Sequence, residues 1–116
     1  MPSKSELRSI LRQALSQSAD VVTAHVPDAD SYIANARASL LAAECEPFEV
    51  SAVVMPPAFP DHPEGDTVDG YCLARRAGYW LVYSPGERRF YCFWGSEATN
   101  LGAHGVYGSP LACWLA

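Results

Sequence analysis

Two short segments late in the chain, residues 79–84 and 88–94, are apolar or aromatic on both sides, and no other feature restricts the fold as much. In an extended strand, successive side chains point to opposite faces. Tyr79, Leu81 and Tyr83 therefore face one way, with Trp80 and Val82 opposite. Phe90, Cys92 and Trp94 likewise oppose Tyr91 and Phe93. A sheet with one wet face carries polar residues on that face. Neither face here is polar, so each needs a cover, or part of one is a contact surface for another molecule. Tyr79, Tyr83 and Trp94 mark the candidate aromatic contact face.

Around this pair the pattern predicts a meander with strands at 70–76, 79–84 and 88–94. Gly78 occupies the first turn, and Ser84-Pro85-Gly86-Glu87 has the residue order of a type II turn. A further half-buried strand is expected at 48–54, where Phe48, Val50, Ala52 and Val54 alternate with Glu49 and Ser51. Pro56, Pro57, Pro60 and Pro63 exclude helix and ladder from the next stretch, which must be a long, stiffened loop. Residues 95–108, with Gly95, Gly102, Gly105 and Gly108, read as a second loop.

The N-terminal part has helical period instead. Leu7, Ile10, Leu11, Ala14 and Leu15 form one stripe over 3–17, and Ser3 followed by Glu6 is a capping box. A second helix is expected at 30–44, capped by Asp28 or Asp30, with Ile33, Arg37, Leu40, Leu41 and Glu44 along one side. Ser109-Pro110 places an N-cap and a first-turn proline before a short helix at 111–115, with a terminal strand as the alternative. The expected fold is α+β: two N-terminal helices packed on an antiparallel sheet of about four strands in a meander, then a short C-terminal helix. Residues 1–116 form a single domain.

Charge is distributed unevenly. The chain has a net charge of −5, yet residues 45–70 alone hold Glu46, Glu49, Asp61, Glu64, Asp66 and Asp69 with no Lys or Arg. This balance argues against nucleic acid or an anionic membrane as partner, since both require a basic surface. A membrane span needs roughly 18 apolar residues, and no run approaches that. The first residues lack the apolar core of a signal peptide, so the expected location is cytoplasmic. There Cys45, Cys72, Cys92 and Cys113 are expected as reduced, small hydrophobes.

Catalytic signatures are sparse. His25 lies in an apolar link, His62 follows Asp61 in the acidic loop, and His104 sits between Ala103 and Gly105. His62 and His104 are the candidates for acid/base work if the chain is an enzyme. No nucleophile elbow, phosphate loop or zinc-protease motif occurs, and the acidic run lacks an EF-hand core. No cofactor or metal is expected, and the expected class is a non-enzyme.

The hairpin Gly78-Tyr79-Trp80-Leu81-Val82-Tyr83-Ser84-Pro85-Gly86-Glu87-Arg88, preceded by Arg75-Arg76, resembles a stretch of small bacterial immunity-type proteins from toxin–immunity competition systems. The closing Ala112-Cys113-Trp114-Leu115 is similar to the short terminal helix of those proteins. The resemblance implies a protein that occludes a toxin and needs no catalytic residues. A nuclease-type toxin is basic because its substrate is polyanionic. An acidic, proline-stiffened loop would attract such a partner and speed encounter. The expected contact residues are Phe59, Asp61, His62, Glu64, Asp66 and Asp69. A small adaptor domain using the aromatic sheet face is the alternative.

Overall fold

The computed structural model describes residues 2–16 and 29–115. His25 and the Asp28 cap lie outside the described residues. Helix α1 covers Lys4–Leu15, and Ser3 caps it by accepting a hydrogen bond from the Glu6 amide at 3.1 Å. Leu7, Leu11 and Leu15, four residues apart, form its buried stripe. Helix α2 covers Ala29–Ala42, so Asp30 falls inside it rather than before it. It ends short of the expected residue 44 because strand β1, Glu44–Val54, begins there. The Arg37 guanidinium donates to the Leu15 carbonyl at 2.9 Å, tying α2 to the C-terminal end of α1.

Strand β1 starts earlier than the expected residue 48. Pro47 is tolerated because the register against the next strand breaks between Glu44 and Phe48, where no regular ladder bond is required. Strands β2 (Thr67–Arg76), β3 (Tyr79–Ser84) and β4 (Arg89–Trp94) follow as an antiparallel meander. The β3–β4 turn is not type II. Arg88 holds the left-handed conformation at φ 55°, and its amide bonds the Ser84 carbonyl at 2.7 Å, while Ser84 pairs with Arg89. The connection is thus a four-residue hairpin loop.

The largest departure from expectation is strand β5, Leu101–Gly108, in the stretch read as a glycine-rich loop. It pairs antiparallel with β4 and parallel with β1, through Ala52–Leu101, Val53–Gly102 and Val54–Ala103. The sheet therefore has five strands and closes on itself as a barrel. Helix α3, Pro110–Trp114, follows immediately, capped by Ser109.

Barrel closure explains why both faces of the meander are apolar. Trp80, Val82, Tyr91 and Phe93 point inward, where they pack with Val50, Ala52, Val54, Val68, Cys72, Leu101 and Ala103. Leu81, Tyr83, Phe90 and Cys92 point outward beneath the helices, against Leu7, Leu11, Leu40, Leu111 and Trp114. Fully burying an apolar side chain of this size is worth roughly 1.5–3 kcal/mol. All three helices contribute to the outer core, and no β1 residue belongs to it. The outer side of β1 and the first part of β2, carrying Glu49, Ser51, Val53, Thr67 and Asp69, is exposed. Among the described residues, no helix is long and apolar enough to cross a membrane.

Candidate functional site

The proline-rich segment between β1 and β2 folds over one end of the barrel. Phe59 and His62 exchange two backbone hydrogen bonds, at 3.1 and 3.3 Å. The resulting tight turn drives the Phe59 ring into the barrel mouth, 5.1 Å from Tyr91 and 5.6 Å from Tyr107 between centroids. Phe59 is only 5 % exposed, so it is a plug in the core and not the surface contact expected from the sequence. The chain returns through the Val54 amide, which bonds the Asp66 carbonyl at 2.8 Å.

Around this plug the segment's charges meet the β3–β4 hairpin. His62 is held through Nδ1 by Asp66 at 2.9 Å and through Nε2 by Glu87 at 2.6 Å. Arg89 donates from one Nη to both oxygens of Asp61, at 2.8 and 3.1 Å, and its Nε lies 3.0 Å from Glu87. The Tyr91 hydroxyl donates to Glu87 and accepts from Arg89. The guanidinium also lies over the Tyr91 and Tyr107 rings, 4.9 and 4.5 Å from their centroids.

The electrostatic consequences follow from these contacts. Asp66, and then Glu87, raise the His62 pKa against the opposing effect of desolvation. The Arg89 hydrogen bond lowers that of Asp61. Burial, and then Glu87, raise that of Tyr91. Carboxylates engage both ring nitrogens of His62, an arrangement that favours its protonated form. Asp61, His62 and Glu87 do bring one ligand atom each within 4.8 Å of one another. A metal ion would nevertheless have to displace the guanidinium that already donates to Asp61 and pairs with Glu87. The cluster is therefore a completed salt-bridge network. His104 has a packing environment: its Nδ1 lies 3.4 Å from the Pro56 carbonyl and its ring meets Trp94 edge-on at 5.2 Å.

The candidate site residues thus separate. Asp61, His62 and Asp66 are engaged in ion pairs within the molecule, while Asp61 and Asp66 stay exposed to solvent. Tyr83, 8 % exposed, belongs to the core under the helices. Tyr79 and Trp94, half-buried, pack against that core and against each other at 5.4 Å. Of the three, Tyr83 is covered, while Tyr79 and Trp94 keep part of their surface exposed. Glu64 and Asp69 remain exposed.

Sequence reasoning missed the residue that joins Asp69 to a surface feature, Glu49. Glu49, Ser51, Asp69 and Tyr71 line a groove of about 370 Å³ on the bare wall of β1 and β2. The Ser51 hydroxyl donates to Asp69, and the Tyr71 hydroxyl donates to Glu49 at 3.2 Å. Among the described residues, none of Glu49, Glu64 and Asp69 has a basic side chain in ion-pair contact. Val53, 47 % exposed, and Met55, 41 % exposed, add apolar surface to the same side of the barrel. Glu87, Arg89 and Tyr91 were also missed as partners of the loop. Arg89 has the same strand parity as the inward-facing Tyr91 and Phe93, and that was the available signal.

No family model matches this sequence, and comparison with curated proteins and with solved structures returned no match.

Proposed function

We propose that this is a binding protein of the inhibitor type, an immunity protein that occludes a basic toxin domain, and that contact is made by the acidic wall of β1 and β2. The observation that carries this reading is the separation of charge. Asp61 and Asp66 are paired within the molecule, whereas, among the described residues, Glu49 and Asp69 on the exposed side of β1 and β2, and Glu64 in the loop before β2, have no basic side chain in ion-pair contact. Uncompensated carboxylates on an exposed sheet face cost self-repulsion, and a positively charged partner relieves it. Val53, Met55 and Tyr71 supply the apolar and aromatic area that slows dissociation once the partner has docked. The resemblance of the hairpin and closing helix to immunity-type proteins supports the class, and a nuclease-type toxin fits the sign of the charge. Nothing in this mechanism requires catalysis, since the inhibitor only has to cover the toxin's cleft.

The test first establishes whether a toxin domain is encoded beside the protein in its native genome, an absence that would reject the class, and then pairs the two. Association is followed by stopped flow at several salt concentrations, for wild type and for the triple variant Glu49→Gln, Glu64→Gln, Asp69→Asn. Removing three steering charges should slow association roughly tenfold at low salt and flatten its salt dependence. The single variant Asp61→Asn, whose carboxylate already serves Arg89, should leave the association rate nearly unchanged. Unaltered kinetics in the triple variant would reject the wall as the contact. Absence of any complex with the neighbouring toxin would reject the class.

A further inference from the structure

Cys45 and Cys72 lie on the paired strands β1 and β2, with their sulfur atoms 3.9 Å apart. The two differ in access. Cys45 is half-buried at the register break of β1, whereas Cys72 is fully buried among the residues inside the barrel. The other two cysteines belong to a different layer, since Cys92 and Cys113 are buried in the core beneath the helices. The sheet therefore gives Cys45 a single sulfur neighbour among them.

We propose that Cys45 and Cys72 form a redox-active dithiol, in which Cys45 attacks a small-molecule disulfide of the glutathione type and Cys72 resolves the adduct into an internal disulfide. In the first step the Cys45 thiolate displaces one half of the small disulfide as a thiolate and becomes a mixed disulfide. In the second, the Cys72 sulfur attacks the Cys45 sulfur, expelling the other half, which takes up the Cys72 proton. Two electrons pass from the cysteine pair to the small disulfide, leaving one protein disulfide, one small thiol and one small thiolate that takes its proton from water.

Local chemistry supports this order of events. The Cys72 thiol, followed by Arg75, stabilises negative charge on Cys45, against desolvation and the nearby Glu44. The Cys45 pKa is lowered from its ordinary value, which favours the thiolate. Cys72 shifts the opposite way, raised by that same hydrogen bond and by burial, which suits a group that reacts only after Cys45 has been modified. Arg75 is positioned by the Trp80 and Phe48 rings, 5.3 and 5.7 Å from its guanidinium carbon. A disulfide needs the sulfur atoms to approach to roughly 2 Å. The break in β1 pairing between Glu44 and Phe48 is where that strand can move without losing regular ladder bonds.

The experiment treats the reduced protein with oxidised glutathione and follows intact mass under non-reducing conditions, with peptide mapping. Wild type should lose two hydrogens and retain no adduct, with the new bond mapped to Cys45 and Cys72. Cys72→Ser should stop with one glutathione on Cys45, and Cys45→Ser should not react. Iodoacetamide should alkylate Cys45 roughly tenfold faster than Cys92 or Cys113. A stable glutathione adduct on wild type, a disulfide between other cysteines, or no reaction would each overturn the proposal. If Cys72→Ser fails to fold, Cys72→Ala serves the same arm, and the wild-type map is decisive by itself.

Discussion

His62 shows how a single side chain can fasten a loop. Its ring spans the gap between Asp66 on the loop and Glu87 on the hairpin, at 2.9 and 2.6 Å. Its pKa is raised above the ordinary 6.5 in the folded state, so folding takes up protons near neutrality. The associated stabilisation is fully present below about pH 6.5 and is lost as pH rises through the elevated folded pKa. Relative to His62→Gln, wild type should be more stable at about pH 6 by on the order of 1 kcal/mol, and this advantage should shrink toward about pH 9. Thermal melts of both proteins across that range measure it. A difference between the two that does not vary with pH would mean that the imidazolium is not the fastener. Asp61 and His62 were legible in the sequence as neighbours in the acidic loop. Their partners were not, because Glu87 and Arg89 belong to a hairpin whose proximity depends on how the barrel closes.

At the scale of elements, local signals were legible wherever propensity and packing agree. The Ser3 cap and the stripe Leu7, Leu11, Leu15 define α1, the alternation in 48–54 survives within β1, and the opposed faces of β3 and β4 are as the pattern requires. Strand β5 was hidden because its glycines answer to neighbours in space. Gly105 holds φ +84°, and a Cβ there would lie 2.8 Å from the Pro57 carbonyl oxygen, since the proline-rich segment crosses directly over the strand. A residue needed for close approach and positive φ has the same one-letter appearance as a loop glycine. Gly105→Ala should therefore destabilise the protein by about 1–3 kcal/mol, read as a lowered denaturant midpoint. An unchanged midpoint would show that the overlying segment yields without cost.

For the whole molecule, the closed barrel with helices over part of its wall divides the surface into a covered and a bare side. That division decides which acidic residues are free, and it could not be read along the chain, where Asp61 and Asp69 look equivalent. The barrel also has one joint unlike the rest. The antiparallel pairs run between neighbours in sequence, whereas β1 meets β5 in parallel through only Ala52, Val53 and Val54. Contacts between chain-distant segments form late, and short ladders open first. Amide hydrogens of the β1–β5 pairing should exchange faster than those between β3 and β4 in native-state hydrogen exchange, and equal protection would contradict this. A cylinder with one weak joint behaves like a clasp. The same three residues that deprive the sheet of its sticky edges are where those edges would reappear first under stress, and a chain caught in that unlatched form would have open strands to offer another copy of itself.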